Sequence, residues 1–326
     1  QGATVILQAI PEDVPGLTDY PRRHAAFRQA AAAVPSSGAV VEADPITALQ
    51  ARGIPGEPLA AYGLHFIRRR TADETYYYVV NHQAGTVDAR IPLLNTEGPS
   101  IVLLDPQTGA YGTTPCEPVS GGCRVRIQLR SGEAVIVRIG HAPVDNLPAW
   151  TYTGNEVQRI PLAGRWQVDF LEGGPERPEP LVMETLACWT DQPGEAYRTF
   201  SGTAVYQTTV TVDPVDPGAI YLLELEGVHE SGRVYINGRS AGLAWSFPFR
   251  LPVGQLLRPG INTITIEVAN LMANRIRAMD RQAIPWRRYH EINFVDIGYQ
   301  PFDASNWPVQ PSGLAGPVTL VRYKSD

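Results

Sequence analysis

The chain has 326 residues, and its 27 Lys and Arg against 33 Asp and Glu leave a formal net charge of −6, which offers phosphate backbones no long-range attraction and argues against a nucleic-acid partner. No apolar run reaches membrane-spanning length, and the N-terminus has no basic stretch followed by an apolar one, so neither a membrane span nor an uncleaved signal is expected. The 44% hydrophobic content can fill several cores, three units are expected at roughly 100 to 200 residues per domain, and 29 Pro with 30 Gly predict many turns and an all-β majority.

Residues 1–58 have a grammar of their own. Thr4 to Leu7 is a short β-like run, RRHAAFRQAAAAV after Pro21 favours helix, Ala39 to Ala43 is a second β-like run, and Pro45 to Arg52 reads as a short helix stopped by Gly53. The order strand, helix, strand, helix is that of a parallel α/β unit. Two strands cannot close a barrel, so the segment reads either as part of a larger α/β domain or as an appendage to the next one.

Residues 59–143 switch to antiparallel β. Leu64 to Arg70, Tyr76 to Asn81, Val87 to Ile91, Ile101 to Leu104, Arg124 to Leu129 and Ala134 to Ile139 are short β-type runs separated by turns such as DPQTG and RSGE. They predict a small sandwich. Arg68, Arg69 and Arg70 precede Asp73 and Glu74, which reads as a solvated turn with local ion pairs. Cys116 and Cys123 flank a Pro- and Gly-containing loop. Two free thiols are the plain reading, and a small disulfide across the ends of a hairpin is the expectation, which implies a secreted or periplasmic setting. Cys188 reads as a packed apolar residue.

Residues 144–326 form the largest expected unit. Leu223, Glu224, Leu225 and Glu226 alternate across a half-buried strand, Val234 to Ile236 runs into the turn pair Asn237-Gly238, and Ile264, Ile266 and Val268 share one face of a third strand. GTAVYQTTVTV, VHESGRVYINGRSAG, FPFRLPV, LRPGINTITIEVAN and the closing WPVQPSGLAGPVTL resemble the sugar-binding jelly roll of the glycoside hydrolase family 2 type. ANRIRAMDRQAIPWRRYHEINFVDIGYQPFDAS, with GLHFIRRRTADETYYYVVNHQ upstream, resembles the C-terminal portion of family 106 α-L-rhamnosidases. The resemblance implies two antiparallel β-sandwiches, the second galactose-binding-like, after the last pieces of a (β/α)8-type barrel. It also implies a rhamnose-containing glycan as partner, and a barrel elsewhere that holds the paired carboxylates and a calcium ion, with no cofactor in this chain.

Inverting hydrolysis needs an acid and a base roughly 6.5 to 9.5 Å apart, and the resemblance places neither on a residue of this chain. Within the chain, Glu230 after His229, Glu291 after His290, and Asp303 are the candidate carboxylates, while Glu224 and Glu226 read as an ordinary exposed acidic face. Neither His-Glu pair continues as HExxH, and no nucleophile elbow or phosphate loop occurs. Carbohydrate binding asks instead for flat apolar faces and fixed planar donors and acceptors. The stretch from Asn270 to Trp307 is rich in them: Asn274, Arg275, Trp286, Arg288, His290 and Trp307 are candidate contacts, and Trp245 is a further stacking candidate. The competing reading is structural, with Trp286 and Trp307 as core aromatics and the arginines pairing with Asp280, Glu291 or Asp303 to pin a long loop. Three functions stand open: an accessory region that does not hydrolyse alone, a self-sufficient glycosidase using those carboxylates, and a structural domain that docks on a barrel.

Overall fold

The computed structural model describes residues 5–94, 96, 100–140, 144, 146–288, 295 and 297–326. The chain is mainly β, and its large sheets are antiparallel. At the N-terminus, Ile6–Leu7 and Val40–Val41 pair in parallel, joined by the helix Tyr20–Ala33, and the helix Pro45–Gln50 follows. Asp44 caps that second helix by accepting the Ile46 N–H and the Thr47 hydroxyl. This α/β piece has almost no interior. Between residues 5 and 58 Ala48 alone is a buried hydrophobic among the described residues, while Val5, Val41, Ile46 and Ile54 are all about half exposed or more.

The next unit is built from two sheets. One orders the strands His65–Arg70, Glu74–Val80, Ala134–Gly140, Ser100–Leu104 and Tyr111–Thr113, and the other orders Val87–Leu94, Gly122–Leu129 and Glu117–Val119. Val79, Ile101 and Val137 from the first pack on Ile91, Val125 and Ile127 from the second in one buried cluster. The strands Tyr111–Thr113 and Glu117–Val119 have only three residues each, too few to show alternation. Cys116 and Cys123 are bonded at the end of the second sheet, where Glu117–Val119 turns back on Gly122. The arginine run does not pair as its spacing suggests. Arg68 bonds Glu57, and Glu74 bonds Arg138 across the sheet.

Glu57 anchors the entry to this unit. Its side chain is 6% exposed, and it accepts from Arg68 at 3.1 Å, from the Tyr77 hydroxyl at 3.3 Å and from the Leu94 N–H at 2.8 Å. Burial pushes the Tyr77 phenol up to about 12. Arg68 is exposed enough to return to water and the Tyr77 hydroxyl keeps the Leu94 carbonyl at 3.1 Å, so the loss on Glu57→Ala comes mainly from the orphaned Leu94 N–H. It is expected to be about 1–3 kcal/mol, read as a lower urea midpoint at unchanged slope.

The C-terminal unit is a larger sandwich. A four-stranded sheet orders Thr153–Pro161, Gly313–Ser325, Ala219–His229 and Phe249–Pro252. A six-stranded one orders Leu181–Met183, Trp166–Gly174, Ser201–Val212, Gly260–Ala269, Ser231–Ile236 and Arg239–Ala244. Their inner faces share one cluster that includes Trp166, Trp189, Phe200, Tyr206, Leu223 and Ile266. Ile264, Ile266 and Val268 are fully buried, worth roughly 1.5–3 kcal/mol each, and Thr263 and Thr265 face outward as the alternation requires. Asn237 (φ 53°) and Gly238 (φ 77°) both lie in the left-handed region, as a type I′ hairpin turn demands. Cys188 is buried, and desolvation raises its thiol, so it packs as a hydrophobe. No described helix is long and apolar enough to cross a membrane.

Candidate carbohydrate-binding site

The helix Ala273–Arg281 and the segment that follows it lie at one end of the larger sandwich. Asp280 organises them. Its side chain is 8% exposed and accepts the Trp286 indole N–H at 2.7 Å, the Arg287 guanidinium at 3.1 and 3.2 Å, and the Ala304 N–H at 2.9 Å. Phe302 stands edge-on between Trp286 and Trp307, with centroids at 5.9 and 5.4 Å, and Arg287 lies over the Trp286 and Phe302 rings. Arg277 donates to the Trp307 carbonyl at 2.7 Å and closes the loop. These contacts pin the chain, as the structural reading of the sequence supposes.

The candidate contacts therefore divide. Asn274 is turned inward. It is 1% exposed, its amide nitrogen donates to the Gln310 carbonyl and the Ser312 hydroxyl, and its oxygen accepts the Gln310 N–H. A residue so enclosed has no atom to offer a ligand, which corrects its reading as a contact. Arg275 lays its guanidinium against the Gly174 backbone, about 3 Å from where a Cβ would stand. Trp286 is half-buried and committed to Asp280, Trp307 is 38% exposed, and Arg288 is exposed. His290 and Glu291 lie outside the described residues.

The described candidate carboxylates, Glu230 and Asp303, both lie at the surface. Glu230 is exposed beside the strand Ser231–Ile236, with its N–H bonded to the Ala269 carbonyl. Asp303 is exposed, accepts the Ser305 N–H, and is held below the usual carboxylate range by that bond. Glu224, read as an exposed acidic residue, is 15% exposed and enclosed by arginines. Among the described residues no group of three or more His, Cys, Asp or Glu is placed to hold a metal ion.

Two cavities among the described residues bear on these candidates. One, of about 330 Å³, is polar and lies where the two sandwiches meet, between Asp88, Gln128, Arg130, Thr153, Asn155 and Asp326. Its walls largely satisfy one another: Asp88 takes both Arg126 and Gln128, and Arg126 holds the Asp88 carboxyl low. The other, of about 240 Å³, is mostly apolar, between Leu162, Trp166, Leu186 and Pro317. Neither Glu230 nor Asp303 lines them.

Trp245 sits elsewhere, at the joint between the sandwiches. Its indole N–H points to the Gln107 carbonyl at 3.4 Å, and the Gln107 amide nitrogen donates to the carbonyls of Ser246 and Pro248 at 2.5 and 3.0 Å. The sequence gives no hint of Gln107, which reads only as part of a turn. Its partners lie about 140 positions away and are brought to it by the fold alone.

No family model matches the chain. A protein described as a putative beta-glucuronidase of Formosa agariphila is 32% identical over 139 residues, 40% of this chain and 11% of that protein. A solved rhamnosidase from Novosphingobium sp. PP1Y superposes with a TM-score of 0.69 at 26% identity, over 98% of this chain and 31% of that one. A Bifidobacterium dentium beta-glucuronidase complexed with coumarin-3-O-glucuronide gives a TM-score of 0.38 at 21% identity, over 54% of this chain and 32% of that one. The chain thus spans about a third or less of the length of each, and it is similar to part of proteins that are glycoside hydrolases.

Proposed function

We propose that the chain is an accessory, C-terminal region of an α-L-rhamnosidase-like glycoside hydrolase. It binds or shapes access to a rhamnose-containing glycan while a family 106 type barrel supplies the acid, the base and calcium. On this reading residues 1–58 are the last pieces of that barrel, 59–143 a small sandwich, and 144–326 a galactose-binding-like jelly roll of the family 2 type. A secreted or periplasmic setting accords with the bond between Cys116 and Cys123.

One observation carries the proposal: the parallel pair Ile6–Leu7 and Val40–Val41 and its two helices have no core. Parallel strands are normally covered on both faces by helices, yet Val5 and Val41 here are 52% and 48% exposed. Such a unit is complete only against a larger α/β body. The likeness to the rhamnosidase supports the same reading, because it extends over 98% of this chain and so takes in most of this segment.

Turnover of para-nitrophenyl α-L-rhamnopyranoside is the test. The chain alone is expected to give none, and the natural reading frame that contains it to give turnover. Hydrolysis by the chain alone would overturn the proposal in favour of a self-sufficient glycosidase.

A further inference from the structure

We propose that Trp245 and Phe247, with Gln107 and Ser246 beside them, form a platform for a neutral pyranose at the joint of the two sandwiches. This deepens the carbohydrate reading above and rests on it. The first ground is an unusual combination of exposure and fixity. Trp245 is 53% and Phe247 63% exposed, yet each ring has a partner. The Trp245 indole N–H faces the Gln107 carbonyl at 3.4 Å, and Phe247 meets Phe249 edge to face at 6.3 Å. Phe247 also rests on Gly132, where a Cβ would lie only 3.0 Å from its ring. Aromatic faces held in this way have little ordering entropy left to lose when a sugar stacks on them.

The second ground is the polar equipment beside the rings. Both amide hydrogens of Gln107 are spent on clamping the loop, which fixes the direction of its Oε1. That oxygen and the Ser246 hydroxyl make no hydrogen bond to any described residue. One acceptor and one donor-acceptor beside flat apolar faces is the equipment that a sugar ring requires, C–H faces on the aromatics and hydroxyls on the amide oxygen and the serine. The platform's own side chains, Gln107, Trp245, Ser246 and Phe247, carry no charge. A neutral sugar is therefore favoured over a uronate, and a deoxyhexose most of all, because its methyl group adds apolar surface.

Tryptophan fluorescence and titration calorimetry on the full chain, with methyl α-L-rhamnopyranoside and methyl β-D-glucuronide as probes, test the platform. Saturable binding of the rhamnoside is expected, with the glucuronide at least about tenfold weaker. Trp245→Ala should weaken the rhamnoside about tenfold or more, and Ser246→Ala a few-fold, with both rings and the thermal midpoint kept. Ser246→Ala covers the case in which Trp245→Ala disturbs the joint itself. Absence of saturable binding, or equal binding by wild type and both variants, discards the platform. Equal affinity for the two probes discards the neutral-sugar preference. Rhamnoside turnover by the larger reading frame without pyranoside binding here discards the platform and leaves the rhamnosidase-like reading intact, and pyranoside binding without that turnover does the reverse.

Discussion

Asp280→Ala is expected to release the segment after the helix Ala273–Arg281 and to cost about 3–5 kcal/mol, the range for stranding the partners of a buried charge. The carboxylate is 8% exposed and serves donors of different kinds at once, an indole, a guanidinium and a backbone amide. Alanine provides no acceptor for any of them. Arg287 is the worst placed, because it lies against the Trp286 and Phe302 rings with its side chain 33% exposed, and it loses its counter-charge. The damage should stay local, since the sandwich core does not include these residues. Limited trypsin digestion reads it directly: cleavage at Arg281, Arg287 and Arg288 should accelerate well before the core strands open. Asp280→Asn should recover only part of the loss, because its amide restores one acceptor while setting an NH2 among donors. Digestion indistinguishable from wild type would show that the aromatic contacts hold the segment without Asp280.

This centre shows where sequence reading stops. Strand Gly260–Ala269 was legible because its alternation is long and regular, and the Asn237-Gly238 turn because few other residue pairs adopt positive φ twice in succession. The β character of both larger units followed from such local signals. The N-terminal strand, helix, strand, helix order was legible for the same reason, since Pro, Ala and Gly punctuate it. Asp280 appeared only as one of several acids an arginine could meet. Its role depends on Ala304 being folded back 24 positions later, and no periodicity reports that. Asn274 misled for a related reason: an amide in an Arg- and Trp-rich stretch looks equally suited to a sugar and to a neighbouring carbonyl, and only burial separates the two. Gln107 had no local signal at all.

Glu224→Ala is expected to cost about 2–4 kcal/mol, less than a fully buried pair because its partners are partly solvated, and to loosen the two sandwiches from each other. Glu224 stands on the strand Ala219–His229 of the larger sandwich, with its side chain 15% exposed. Its Oε1 forms an ion pair with Arg250 at 3.0 Å and accepts from Tyr323 at 3.2 Å and Arg130 at 3.4 Å, and its Oε2 accepts from Arg159 at 2.9 Å. Arg130 belongs to the smaller sandwich and also stacks over the Tyr323 ring at 4.4 Å. When Glu224 is removed, Arg159 keeps Glu156 and Arg250 keeps Glu133, but among the described residues no other carboxylate pairs with the Arg130 guanidinium, which keeps only the Tyr323 hydroxyl and ring. The joint then keeps Arg250 with Glu133, Arg126 with Asp326, Arg130 with the Tyr323 hydroxyl, the paired bonds between Gln128 and the Thr153 backbone, and the Gln107 clamp around Ser246 and Pro248. Differential scanning calorimetry should show one transition in the wild type separating into two in the variant, each sandwich melting with its own core. Glu224→Gln, which keeps the acceptor but not the charge, should fall between them. A single transition displaced as a whole would mean that the clamp and the remaining ion pairs suffice to couple the units. Two transitions would place Glu224 as the coupling residue, and the Trp245 loop, which bridges the same joint, should then lose its fixed geometry in the variant as well.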